Sequence, residues 1–539
     1  MPKQPTTRLP RRDFLKLAAS GTAALAAARS WGGPEPPAAA RLTGPVAHLE
    51  IVLDEPIGTI NPNVYGHFTE HIGGVVYDGI WVGPDSKVPN IGGIRRALIE
   101  HLQRINPPVI RWPGGCFADR YHWRDGIGPI EKRPRRYGRW EDVTESNHFG
   151  THEFMRFCRL VKAEPYFAAN VGTGTPEEFQ QWVEYCNAPT DSTSLAAERA
   201  ANGDREPLGV RYWGVGNESW GCGGQFPADV YCDRYRQFAT WVPGYRVPLF
   251  LIASGPNGND LNWTRTFFER FLRGPSAPIH GWSPHYYCGT TGHALQFDGN
   301  DWYEMLRKGA FMETLVREQW DALVTFDPNH KIKLIVDEWG CWHPKGTEIN
   351  PKHLFEQMIT LRDAMVTALT LDIFNRNAEK VAMANVAQLI NNLHTLFLAD
   401  EDKFVATPNF HVYEMYQPHR RGRAVRLNVA APSIKYQFKG KDEEIFRVAG
   451  SASVRDETLT LTVVHTHVDE PGEAEIVIRG GTIRVARQTV LTHKDIHAHN
   501  TFEKPNVVVP KSAVCKLKGG RVTFTFAARS ITRLDLTLG

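Results

Sequence analysis

Two glutamates close short apolar runs. Glu218 ends Arg211-Tyr212-Trp213-Gly214-Val215-Gly216-Asn217-Glu218, and Glu338 ends Leu334-Ile335-Val336-Asp337-Glu338. Asn217 precedes the first, and Trp220, Trp339 and Trp342 stand beside the pair. Two carboxyls flanking one bound molecule are what hydrolysis of a glycosidic bond needs. One protonates the leaving oxygen and the other supports the oxocarbenium-like carbon. At ~5–5.5 Å apart the second attacks directly and the configuration is retained. Repulsion between two such carboxylates keeps a proton on one of them near neutral pH. Asp337 neighbours Glu338, but successive strand side chains alternate faces, so Asp337 is expected to point away from the substrate.

Other polar residues end other apolar runs: His67 with Glu70, Arg111 with Cys116, Asn170, Asn257, His285 with Tyr287, and Gln388. His67-Phe68-Thr69-Glu70-His71 also fits H-x-x-E-H, a zinc-peptidase pattern. That chemistry puts both histidines on one helical face. Asn61-Pro62-Asn63 before and Gly73-Gly74 after are a poor setting for a helix, so no metal is expected. Gly172-Thr173-Gly174-Thr175 lacks the rest of a phosphate loop and reads as a strand-to-helix turn. Thr175 is its N-cap and Pro176 its first helical residue.

Groups so far apart in the chain need a scaffold that gathers strand ends. From about residue 60 to 400, apolar runs alternate with amphipathic helical stretches. The runs are Asn63–Phe68, Pro108–Gly115, Pro165–Gly172, Arg211–Glu218, Leu249–Gly255, Gly281–Tyr287, Lys333–Gly340 and Met383–Gln388. Eight such alternations predict an α/β fold, a (β/α)8 TIM barrel, whose catalytic groups sit at the C-terminal ends of the strands. Glu218 and Glu338 then end the fourth and seventh strands, across the mouth from one another. Beyond about residue 405 the runs are short, alternating and rich in Val and Thr, with Gly480-Gly481 and Gly519-Gly520 as turns. They predict a C-terminal antiparallel β-sandwich, jelly-roll-like. His48–Asp54 alternates too, and is expected to cross over and join that sandwich. The expected divisions are 1–40, 41–57 (a strand joining the sandwich), 58–405 (the barrel) and 406–539 (the sandwich).

The first forty residues read as an address. Arg11-Arg12-Asp13-Phe14-Leu15-Lys16 precedes an Ala- and Leu-rich run from Leu17 to Ala28, the pattern of a twin-arginine signal. The expectation is export to the periplasm or beyond, with no membrane association once the signal is removed. Those residues hold six basic and two acidic side chains. The formal charge of +3 therefore falls to −1 without them, which leaves no footprint for nucleic acid or anionic lipid. Fifteen Trp and sixteen Tyr suit sugar faces as well as cores. The eight cysteines, 116, 158, 186, 222, 232, 288, 341 and 515, form no C-x-x-C pair or zinc spacing. Most are expected to be small buried residues, and a chain that folds before export can keep its thiols reduced.

At these residues the sequence resembles the α-L-arabinofuranosidases of glycoside hydrolase family 51. The matching stretches are NPNVYGHFTEHIGGVVYDGIWVG (61–83), IRWPGGCFADRYHWRDGIGP (110–129), FGTHEF (149–154), YWGVGNESWGCGG (212–224), SPHYY (283–287), VDEWG (336–340), FNRNAEKVAMANVAQLIN (374–391) and TPNFHVYEMY (407–416). FTEH and ADRY depart slightly from the usual wording. The resemblance implies a retaining, exo-acting enzyme that needs no cofactor and releases L-arabinose from non-reducing ends of arabinan, arabinoxylan or their oligosaccharides. Glu218 takes the acid/base role and Glu338 that of nucleophile. Asn217 matches the group that binds the sugar 2-hydroxyl. Glu70, Tyr287 and Gln388 match other hydroxyl contacts, and Tyr287 also holds the nucleophile. His285 sits by the acid/base, and Arg111 supports the carboxylates. Trp140 matches a loop tryptophan that closes over the furanose. Cys116 lies where relatives carry Cys or Asn, a weaker sugar contact. Some relatives favour β-xylosides or cut β-glucans internally, and these are the alternative activities. Relatives commonly form homo-oligomers, so assembly is expected.

Overall fold

The computed structural model describes residues 47–138, 143–289 and 291–539. Strand β1 (Ala47–Thr59) precedes a closed barrel of eight parallel strands. These are β2 (Gly66–Phe68), β3 (Val109–Trp112), β4 (Glu164–Ala169), β5 (Tyr212–Val215), β6 (Phe250–Asn257), β7 (Gly281–Gly289), β8 (Lys333–Trp342) and β9 (Val381–Val386). Closure comes where Asn385 and Val386 pair with Gly66 and His67. The strands are apolar because helices cover one face and barrel-filling side chains the other. All four residues of β3 are buried, for example.

Each of the eight apolar runs overlaps one of the eight barrel strands, with ends shifted by a few residues, and two of the shifts have clear local reasons. Asn61 accepts from the Asn63 amide and Pro62 follows it, so Pro62–Tyr65 winds into a 3-10 turn and only Gly66–Phe68 is extended. β5 stops at Val215 because Gly216 turns with φ +90°, so Asn217 and Glu218 lie on a loop above the strand. The Thr175 hydroxyl accepts from the Glu178 amide and opens the helix Pro176–Asn187. His67 is on β2 while Glu70 and His71 follow in a loop, so H-x-x-E-H never forms the helical face a zinc peptidase needs.

Eight C-terminal strands build the second sheet: β10 (Arg423–Ala430), β11 (Val448–Arg455), β12 (Thr458–His465), β13 (Gly472–Arg479), β14 (Ile483–Thr492), β15 (Lys511–Cys515), β16 (Arg521–Phe526) and β17 (Ser530–Leu538). With β1 they form one nine-stranded sheet, ordered β15-β14-β17-β12-β11-β10-β1-β13-β16. β1 runs antiparallel to β10 and parallel to β13. Leu49 and Ile51 of β1 share one core with Leu461, Ile476 and Leu534, so the sheet curls on itself as a sandwich does. Helix Leu361–Arg376, buried along nearly its whole length, lies between barrel and sheet. There Asp372 accepts from Ser451 Oγ (2.7 Å), Thr462 Oγ1 (2.5 Å) and Tyr416 OH (3.0 Å), and burial pushes its carboxyl up to about 6. Among the described residues no helix is long and apolar enough to cross a membrane.

Candidate active site

The C-terminal strand ends converge on one polar cluster. From β3, Arg111 donates through Nη1 to Glu338 Oε1 (2.7 Å) and through Nη2 to Asn217 Oδ1 (2.6 Å). From β7, Tyr287 donates to Glu338 Oε2 (2.8 Å). His285, also on β7, sets Nδ1 at 3.1 Å from Glu218 Oε1 and 3.6 Å from Glu338 Oε2. Oxygens of Glu218 and Glu338 and a nitrogen of His285 all lie within 4.8 Å of one another. The two carboxyls thus face one gap, with a single imidazole beside both.

Beneath them Asp337 accepts from Tyr166 OH (2.6 Å), His285 Nε2 (3.0 Å) and Ser283 Oγ. It points away from the mouth, yet it belongs to the cluster, because Arg111 Nε is 3.4 Å away. Its neighbours Arg111 and His285 overcome burial and hold its carboxyl well below the usual range. Burial also works against a charged His285, but Glu338, Asp337 and Glu218 outweigh it and raise the imidazole to about 10. His285 is therefore a cation at neutral pH and donates from both nitrogens. Burial pushes Glu338 upward, while His285 and Arg111 pull the other way. The buried Tyr287 phenol, facing Glu338, is held well above its ordinary value and stays a donor.

Glu70 sits at the side of the gap. Its Oε1 accepts from the Phe117 amide (2.8 Å) and its Oε2 from Gln388 Nε2 (3.3 Å). Burial and the charge of Glu338 lift it to about 8. The loop after β3 passes so close that a Cβ on Gly115 would stand 2.6 Å from Glu338 Oε1. The structure thus brings together Glu70, Arg111, Cys116, Asn217, Glu218, His285, Tyr287, Glu338 and Gln388. Trp140 lies outside the described residues.

One expected contact changes character. Cys116 Sγ is bonded to Cys222 Sγ, so it has no thiol hydrogen to offer a sugar. The expectation of small buried cysteines fits Cys158, Cys186, Cys232, Cys288 and Cys341. Two further residues position the site and are not among the candidates expected from the sequence. Asp119 accepts from the amides of Val171 (2.8 Å), Gly172 (2.9 Å) and Asn217 (3.1 Å), and so ties the ends of β4 and β5. Cys222 stands 3.5 Å from Glu218 Oε2. Both fall inside the matched stretches, which was the available signal.

Comparison with known proteins agrees with this geometry. The family described as α-L-arabinofuranosidase 1 domain matches residues 101–272, and that described as α-L-arabinofuranosidase C-terminal domain matches 337–530. An intracellular exo-α-L-arabinofuranosidase of Bacteroides ovatus is 36% identical over 499 residues, 91% of this chain and 95% of its own. The chain belongs to the α-L-arabinofuranosidases of glycoside hydrolase family 51. Among solved structures of this family, the enzyme from Xanthomonas axonopodis pv. citri superposes with a TM-score of 0.86 at 36% identity, covering 92% of this chain and all of that one. The α-L-arabinofuranosidase of Thermotoga maritima, solved as an arabinose complex, gives 0.80 at 28%, covering 91% and 99%.

Export by the twin-arginine route is overturned by the same comparison, because the Bacteroides relative, matched nearly end to end, is described as intracellular. The expectation rested on a few basic residues and a short alanine-rich run within residues 1–40, which lie outside the described residues. Such a run is equally the composition of a basic tail with high helix propensity.

Proposed function

We propose that this chain is a retaining, exo-acting α-L-arabinofuranosidase that releases L-arabinose from the non-reducing ends of arabinan, arabinoxylan or their oligosaccharides. The supporting observation is the placement of Glu218 and Glu338 oxygens within 4.8 Å of one another, facing one gap. That fits the narrow spacing of double displacement better than the wider gap of an inverting enzyme. Glu338, gripped by Arg111 and Tyr287, attacks the anomeric carbon, and Glu218 gives its proton to the departing oxygen. Glu218 then takes a proton from water, which frees the sugar from its ester with Glu338. Asn217 faces the 2-hydroxyl with the amide not used by Arg111, while Glu70 and Gln388 hold other ring hydroxyls. The relatives' names favour arabinofuranosides over β-xylosides or β-glucans. Homo-oligomeric assembly, measurable by sedimentation, is part of the same reading.

Glu338→Ala should abolish turnover of aryl α-L-arabinofuranoside. Glu218→Ala should slow poor leaving groups most, with azide restoring part of the rate. Unimpaired turnover in either variant, or preference of the parent for a β-glucan, overturns the proposal.

A further inference from the structure

The disulfide Cys116–Cys222 joins the loops that follow β3 and β5, with Cα atoms 5.4 Å apart. Both residues are half-buried. Cys222 lies in the glycine-rich turn 221–224 that follows Glu218. The two sulfurs and a Glu218 oxygen all lie within 4.8 Å of one another. A tetrahedral zinc ion with bonds of ~2.3 Å to sulfur and ~2.1 Å to oxygen sets its ligands about 3.6–3.8 Å apart, so the two sulfurs, bonded here, must part before they can hold one. The other Glu218 oxygen accepts from His285 Nδ1 at 3.1 Å, which orients the carboxylate as outer partners orient a metal ligand.

We infer that Cys116, Cys222 and Glu218 form a site for a thiophilic divalent cation of the Zn2+ class, opened by reduction of the bridge and blocking the acid/base when filled. The inference rests on the proposed role of Glu218. The sulfur–sulfur bond accepts two electrons and two protons from a dithiol, which leaves as its own disulfide. Each cysteine thiol then gives up its proton as it binds the cation. A Glu218 oxygen bound to metal cannot protonate a leaving group. Disulfides that occur in reducing compartments are commonly transient or redox-sensing, and this one touches the group that would be regulated.

The test compares the oxidised chain with the same chain reduced by a dithiol and desalted without air. Each is titrated with Zn2+, and bound zinc is read by competition with a colorimetric chelator while turnover of aryl α-L-arabinofuranoside is followed. The reduced chain should bind one additional zinc ion and lose most of its activity, recovered with EDTA, while the oxidised chain keeps its own. Reduced Cys222→Ser should lose that zinc ion and, against its own zinc-free rate, the inhibition. Equal binding or equal inhibition of the two redox forms overturns the inference, and that comparison needs no variant. If the zinc-free oxidised chain does not cleave the arabinofuranoside, the proposed function fails, and zinc stoichiometry alone still decides the site.

Discussion

Arg111 donates to Glu338 on one side of the mouth and to Asn217 on the other, so one guanidinium spaces groups from three strands. Lysine cannot make that forked contact. Arg111→Lys should lower kcat/KM roughly 10- to 150-fold, the loss of a charged hydrogen bond of about 1.5–3 kcal/mol. Tyr287→Phe removes one donor to Glu338 and should cost a similar factor in kcat, with Tm barely changed. His285 gives a prediction in pH. Its folded value, about 10, stands above the ordinary imidazole value. The stability it contributes is therefore fully present below about 6.5 and is lost as pH climbs through about 10. Denaturant titrations of the parent and His285→Gln should show their largest stability gap near pH 6 and a closing gap above pH 10. At this scale the sequence carried much of the site, since each of these side chains lies within or at the end of an apolar run. The Cys116–Cys222 pairing was not legible, because it depends on how two loops meet above strands that are not neighbours in the barrel.

The elements explain why strand ends were harder to read than strands. Periodicity reports burial, and the barrel strands are buried on both faces, so eight apolar runs mark them well. Where each stops depends on single backbone angles, such as the left-handed φ of Gly216 that lifts Asn217 and Glu218 off β5. The loop beyond is equally tight. A Cβ on Gly223 would stand 1.8 Å from Asn217 O and 2.6 Å from Asp119 Oδ2. Gly223→Ala must shift the backbone that carries the acid/base. It should cut kcat by an order of magnitude or more while leaving the far-ultraviolet circular dichroism of the barrel unchanged, because β5 itself ends before the clash.

Barrel and sheet meet through helix Leu361–Arg376, where Asp372 gathers hydroxyls from two sheet strands and from Tyr416. Asp372→Ala leaves those hydroxyls without their shared acceptor. It should destabilise the protein by about 2–4 kcal/mol, read as a Tm lower by several degrees, with KM for the aryl arabinofuranoside unchanged. Nothing in local sequence announces that contact, because its sheet partners are 79 and 90 residues away in the chain. Strand β1 is the extreme case: its His48 pairs with Ala430, and its other neighbour begins at Gly472. At roughly 5–20 residues per second of translation, β1 leaves the ribosome about 20–80 seconds before either neighbour exists. Throughout that interval Leu49 and Ile51 are an uncovered hydrophobic edge, so the newborn chain is exposed to chaperones and to clumping along β1 until its sheet neighbours emerge.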